Sequence, residues 1–172
     1  MKLTVLGAGS FGTSLAIHLA RLGHNVHLWG RHAEHLKASA QAGFNTHYLS
    51  EIPFPPGLTC ETDLVSALDQ CELVVSAIPT QGVRSFWEHA VTHLPSNIPL
   101  VNAAKGISNE SLETIDEMLR SILSRPDAAR LVHLSGPSFA LELALGKPTL
   151  LVAAARQIDA AETVRSVFNG NN

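Results

Sequence analysis

The stretch Gly7-Ala8-Gly9-Ser10-Phe11-Gly12 carries the spacing GxGxxG. The chemistry open to it is anion binding. Gly7 permits a tight turn, Gly9 lets bare backbone approach a pyrophosphate, and Gly12 lets a helix pack closely on the preceding strand. The free N–H groups and positive dipole end of that helix would face the phosphates. The pattern means most between a strand and a helix. Here it follows the apolar run Leu3-Thr4-Val5-Leu6 and opens into a helical pattern at Thr13. A dinucleotide is therefore expected at the carboxyl end of the first strand.

Other residues could meet that ligand or its reaction partner. NAD-binding folds usually carry an acid after the second strand, but Trp29-Gly30-Arg31-His32 has no carboxylate before Glu34. Arg31 has the planar fork that pairs with a 2′-phosphate, which favours NADP, or use of both NADP and NAD. Its alternative is a solvated surface arginine. Lys105 follows an apolar run and precedes Gly106; it is either an anion and oxygen contact or a plain loop lysine. Gly136-Pro137-Ser138 opens a short helix. Ser138 either caps that helix or helps to seat a phosphate there, and both roles are compatible. Pro79 either ends its strand or shapes the wall beside a nicotinamide. No Ser-His-Asp order, nucleophile elbow or Walker lysine is present. Hydride chemistry needs none of these, because the cofactor carries it. It does need a proton-exchanging group near the substrate oxygen, and no convincing one is found.

Nine histidines include His89 with His93 and His32 with His35 at helical spacing. Neither pair has a third ligand signalled, whereas closed sites take three or four. Solvated helix faces are expected, and no metal.

Strand and helix patterns alternate with short connections. Strands are expected at 2–7, 26–29, 73–78, 100–104, 131–134 and 149–153. Helices are expected at 11–22, 33–42, 63–68, 82–94, 109–123, 139–145 and 157–168. Phe11, Leu15, Leu19 and Leu22 form a core-facing stripe on the first helix, and Gly23 stops it. In the 109–123 helix, Leu112, Ile115, Met118, Leu119 and Ile122 recur at spacings of three and four, with Asn109 as N-cap. Residues 43–60 hold three prolines and two glycines and read as a long irregular loop, functional or inserted. Such alternation implies right-handed crossovers and an α/β, Rossmann-like doubly wound, mostly parallel sheet with helices on both faces. Arg31, His32, Pro79, Thr80, Lys105, Gly106 and the Gly136–Ser138 segment all follow strands. They should share one rim with the glycine turn.

Composition narrows the class. The 172 residues suffice for one sizeable domain. Hydrophobic residues at 45% and charged residues at 16% are an ordinary globular balance. The formal net charge of −3 argues against a nucleic-acid surface. No apolar run approaches the roughly 18 residues of a membrane span, and no signal peptide is evident. Cys60 and Cys71 lack a CxxC spacing and suit structural thiols in a cytoplasmic protein.

Together, Gly7–Gly12, Leu28-Trp29-Gly30-Arg31, Asn45-Thr46-His47-Tyr48-Leu49, Ala104-Lys105-Gly106 and Ser135-Gly136-Pro137-Ser138-Phe139-Ala140 resemble the N-terminal domain of NAD(P)-dependent glycerol-3-phosphate dehydrogenases over nearly the whole chain. The glycine turn is shared by many dehydrogenases; the lysine–glycine pair followed at this distance by Gly-Pro-Ser-Phe-Ala is far more specific. The resemblance implies reduction of dihydroxyacetone phosphate to sn-glycerol 3-phosphate, feeding glycerophospholipid synthesis. It implies cofactor contacts from Ser10, Phe11, Arg31, His32, Tyr48 and Ala140. It assigns Lys105 to both cofactor and substrate, and Gly136 and Ser138 to the substrate.

Members of that family are about twice as long. Their helical C-terminal domain supplies the proton-accepting lysine and an Arg-Asn pair for the substrate phosphate. Residues 1–172 are thus expected to be a dinucleotide-binding domain, truncated relative to the family, that binds cofactor but turns over poorly alone. An apolar docking face, open to homo-oligomer formation, is also expected. The alternatives are a non-catalytic dinucleotide-binding module and a related reductase acting on a 2-keto acid.

Overall fold

Lys2–Leu6 forms the first strand (β1) of the computed structural model, which describes residues 1–169. Leu3 to Leu6 are buried on both sides of it, as a central parallel strand requires. There follow α1 (Ser10–Arg21), β2 (Asn25–Trp29), α2 (Ala33–Ala42), β3 (Phe44–Asn45), β4 (Leu49–Pro53) and β5 (Leu58–Glu61). Next come α3 (Leu64–Leu68), β6 (Leu73–Ser76), α4 (Thr80–Ala90), a single 3-10 turn at Val91–His93, and β7 (Leu100–Asn102). The remainder is α5 (Ile115–Ile122), α6 (Arg125–Ala129), β8 (Leu131–Ser135), α7 (Ala140–Ala144), β9 (Val152–Ala155) and α8 (Ile158–Asn169).

The main sheet has seven strands in the order β5-β2-β1-β6-β7-β8-β9. Every neighbouring pair is parallel except β8 with β9. Alternate residues of the strands feed two apolar layers. Leu3 and Val5 join Leu15, Leu19, Leu143, Val164 and Phe168 of α1, α7 and α8 on one side. Leu6 and Val74 join Leu68, Val83, Trp87, Met118 and Leu119 of α3, α4 and α5 on the other. Each fully buried side chain of this size contributes about 1.5–3 kcal/mol. This is the doubly wound α/β architecture expected. The strand order reverses at β1, which lies between β2 and β6, so a crevice opens at their carboxyl ends.

Several local expectations are corrected. Residues 43–60 are not an irregular loop: β3 and β4 make an antiparallel ribbon, and β5 joins the sheet beside β2. Pro55-Pro56 are tolerated because they precede β5, a short edge strand, and Pro53 because it is the last residue of β4 in a two-stranded ribbon. The 109–123 helix begins only at Ile115. Its cap is Thr114, in a reciprocal capping box with Glu117, which satisfies orphan N–H groups better than Asn109 could. Leu112 sits at φ 57° and is 73% exposed, so it is no part of the core stripe. The 82–94 helix starts earlier, after Pro79, and ends at Ala90. The last strand is shifted to Val152–Ala155, and α6 adds a helix capped by Ser124 with proline in its first turn.

Candidate functional site

The glycine turn is shaped by close backbone approach. Gly7 has φ 116° and donates its N–H to Trp29 O at 2.7 Å. A Cβ there would stand 2.6 Å from the Ala77 carbonyl oxygen, so glycine is required. A Cβ on Gly12 would overlap the Gly7 carbonyl oxygen. Gly9 differs: nothing lies within 4 Å of its missing Cβ. Gly9 is also the N-cap of α1, with no side-chain cap and no acidic residue in the first turn. The first N–H groups of α1 therefore lack a side-chain cap at its positive end. That is the cradle an anion needs, and the donor set fits a pyrophosphate.

Three other strand ends meet this corner. A cleft of about 470 Å³ is lined by Ser10 and Phe11 of α1, Ala77–Thr80 after β6, Ala103–Lys105 after β7, and Ser138–Ala140 after β8. Lys105 is held on two sides. Thr80 Oγ1 donates to the Lys105 carbonyl at 2.6 Å, and Lys105 Nζ donates to the Gly136 carbonyl at 3.2 Å. Nζ also lies 5.7 Å from the centre of the Phe11 ring, within cation–π range. Among the described residues it has no carboxylate partner, and no other side chain of the cleft lining carries a charge. The cleft thus offers one fixed positive charge, suited to an anion, beside apolar walls.

Ser10, Phe11, Lys105, Ser138 and Ala140 line one cleft, with Gly7, Gly9 and Gly12 forming the adjoining turn. Gly136 enters through its carbonyl. Pro79 both precedes α4 and forms part of the wall. Ser138 does not cap α7: Phe139 holds the N-cap position without a side-chain bond, and Ser138 Oγ donates instead to Gly136 O at 3.5 Å. Arg31, His32 and Tyr48 lie outside this cleft. Arg31 and His32 follow β2, where Gly30 packs against Ala8. Both are exposed, and Arg31 Nε donates to His32 Nε2 at 3.1 Å. Tyr48 is 56% exposed on the β3–β4 turn.

Two supporting side chains, Asn102 and Asn45, carried no signal for that role, although Asn45 opens one of the stretches on which the resemblance rests. Asn102, at the end of β7, accepts from Ala104 N (3.2 Å) and donates to Ala104 O (3.1 Å), fixing the approach to Lys105. Behind it, His133 Nδ1 lies 3.2 Å from Asn102 Nδ2 and His133 Nε2 lies 2.9 Å from Asp116 Oδ1. Asp116 also accepts from Arg120 and Arg156. Asn45 ties the β3–β4 ribbon to the glycine turn. The two cysteines lie away from the cleft, and burial pushes each thiol up to about 11, which makes both poor nucleophiles.

The family description "NAD-dependent glycerol-3-phosphate dehydrogenase N-terminus" matches residues 2–161. The curated glycerol-3-phosphate dehydrogenase [NAD(P)+] of Leptospira biflexa is 34% identical over 169 residues, covering 98% of this chain and 51% of that protein. The enzyme of that name from Anaeromyxobacter dehalogenans is 40% identical over 169 residues, covering 98% of this chain and 51% of that one. The crystal structure of glycerol-3-phosphate dehydrogenase from Coxiella burnetii superposes with a TM-score of 0.88 at 26% identity. It covers 99% of this chain and 51% of that one. The chain spans about half the length of the curated relatives it matches.

Proposed function

We propose that this chain, which belongs to the NAD-dependent glycerol-3-phosphate dehydrogenase family and matches its N-terminal part, is the dinucleotide-binding unit of an oxidoreductase. Residues 1–172 act as that single domain. Its reaction is reduction of dihydroxyacetone phosphate to sn-glycerol 3-phosphate, with NADP or NAD as cofactor, for cytoplasmic glycerophospholipid synthesis. The observation that carries this reading is the position of Lys105. Its ammonium is held between the Phe11 ring and the Gly136 carbonyl, in the cleft that adjoins the uncapped start of α1.

When bound, the dinucleotide supplies the hydride. Gly7, Gly9, Ser10, Phe11 and Gly12 would seat its pyrophosphate. Arg31, His32 and Tyr48 would meet the adenosine side, and Ala140 the cleft side. Lys105 would touch both cofactor and substrate, with Gly136 and Ser138 beside the substrate. A fixed cation there orients an anionic three-carbon substrate and polarises its carbonyl oxygen. Exposed Phe139, Leu141, Leu145, Leu150 and Val152 on α7 and around β9 support an association surface. Among the described residues no helix is long and apolar enough to cross a membrane.

One observation favours a second reading, a binding module without turnover. Lys105 is the sole titratable side chain of the cleft lining, so a separate acid for proton exchange is not supplied there. Calorimetric titration with NADPH and NADH, run beside an assay of NADPH oxidation by dihydroxyacetone phosphate, separates the two. Binding with oxidation supports the reductase. Binding alone supports the module, and no binding contradicts both.

A further inference from the structure

Asn45 stands where four segments meet. It is 1% exposed. Its Nδ2 donates to Ala8 O in the glycine turn at 3.0 Å and to Thr13 Oγ1 of α1 at 2.8 Å. Its Oδ1 accepts from the backbone N–H groups of His47 at 3.1 Å and Tyr48 at 3.2 Å. The same oxygen lies 3.0 Å from His35 Nε2 of α2.

The amide can point only one way. The Ala8 carbonyl only accepts and the two backbone N–H groups only donate, so a flipped amide would set like against like. His35 must then present Nε2–H to Oδ1. The His35 and His47 rings stack at 4.0 Å with 4° between their planes, and the Tyr48 ring meets both edge-on at 6.0 and 6.3 Å. Asn45 therefore sets the Tyr48 ring through two routes: the Tyr48 N–H, and the His35–His47 stack. Among the described residues, its two Nδ2 bonds are the only hydrogen bonds joining the 7–13 turn to the 44–49 ribbon.

We propose that Asn45 is a positioning residue for nucleotide binding, fixing the distance between the glycine turn and the Tyr48 ring. It touches no ligand. It presents the pyrophosphate cradle and the adenosine-side ring as one pre-organised surface, which lowers the ordering cost of binding. This rests on the dinucleotide reading above, and on Tyr48 meeting the adenosine side.

The test compares the full chain with Asn45→Asp. That change keeps the size and the acceptor oxygen toward the ribbon. It replaces the donor with a carboxylate oxygen facing the Ala8 carbonyl. Calorimetry with NADPH and with 5′-ADP is run at a temperature where circular dichroism shows both proteins folded. Both dissociation constants should rise by about tenfold, as for a lost buried hydrogen-bond partner. A merely structural role would lower the melting temperature and leave both constants within about twofold. Thr13→Val is isosteric, removes one acceptor, and should weaken both ligands about threefold even if Asn45→Asp does not fold. Wild-type protein that binds neither ligand overturns the dinucleotide reading and this proposal together. Wild-type binding, with every folded variant within about twofold of it, overturns this proposal alone.

Discussion

Lys105 Nζ donates to the Gly136 carbonyl oxygen at 3.2 Å, bridging the segments that follow β7 and β8. The side chain is exposed, so this bond adds little to stability; its effect is to aim an unneutralised charge. Lys105→Gln should change unfolding free energy by no more than about 0.5 kcal/mol. It should weaken NADPH by about tenfold, since contacts to an ionised group are the strong ones. Urea unfolding and calorimetry check the two halves, and unchanged affinity would return Lys105 to the role of a loop lysine.

Arg31 bears on cofactor choice. Its Nε is engaged by His32, which leaves the terminal nitrogens for a ligand. A charge-assisted hydrogen bond is worth about 1.5–3 kcal/mol. Arg31→Ala should therefore lower the NADPH-to-NADH affinity ratio by about tenfold or more. Titrating both cofactors into both proteins measures this; an unchanged ratio makes Arg31 a surface residue.

Gly12 tests the turn itself. A Cβ there overlaps the Gly7 carbonyl oxygen, and backbone cannot rotate away as a side chain can. Gly12→Ala should cost about 2–4 kcal/mol of stability, a large share of the total for a domain of this size. A denaturant midpoint equal to wild type would mean that β1 and α1 are not packed this closely.

Asp116 gives a pH dependence. Partial burial pushes its carboxyl up, but the hydrogen bonds from Arg120 and His133 outweigh that and hold it below the ordinary range. With a folded pKa below the unfolded value of about 3.9, its contribution is complete above that value and lost as pH falls through the folded one. Asp116→Asn should lower stability at neutral pH and flatten the loss of stability below about pH 4. Identical acid limbs in urea titrations of the two proteins would contradict this.

Much of the fold was legible because its signals are local. The Leu3–Leu6 run, the glycine spacing and the Leu15–Leu19 stripe each act within a few residues, and sheet class follows from their alternation. What was missed depends on partners distant in the chain. Leu58–Glu61 buries only Leu58 fully, so its pairing with β2 leaves almost no periodic trace. Leu112 fits a helical stripe by spacing but lies before the true start. Thr114-Ile115-Asp116-Glu117 did carry the T-x-x-E capping signature, and reading it would have placed that start. The cleft residues were legible as strand ends sharing one rim. Asn45 and Asn102 were not legible as supports, since nothing local says which carbonyls a buried amide will meet.

Gly9 offers the most direct test of the dinucleotide cradle. Nothing stands within 4 Å of its missing Cβ, so Gly9→Val should still fold, with some loss of stability because valine is a poorer N-cap than glycine, while filling the space where a pyrophosphate would approach. Calorimetric titration with NADPH should show saturable binding by the wild-type chain, and binding at least about a hundredfold weaker by a Gly9→Val protein that circular dichroism shows to be folded. A folded Gly9→Val protein that titrates like the wild type, or a wild-type chain that takes up no NADPH, would contradict the account.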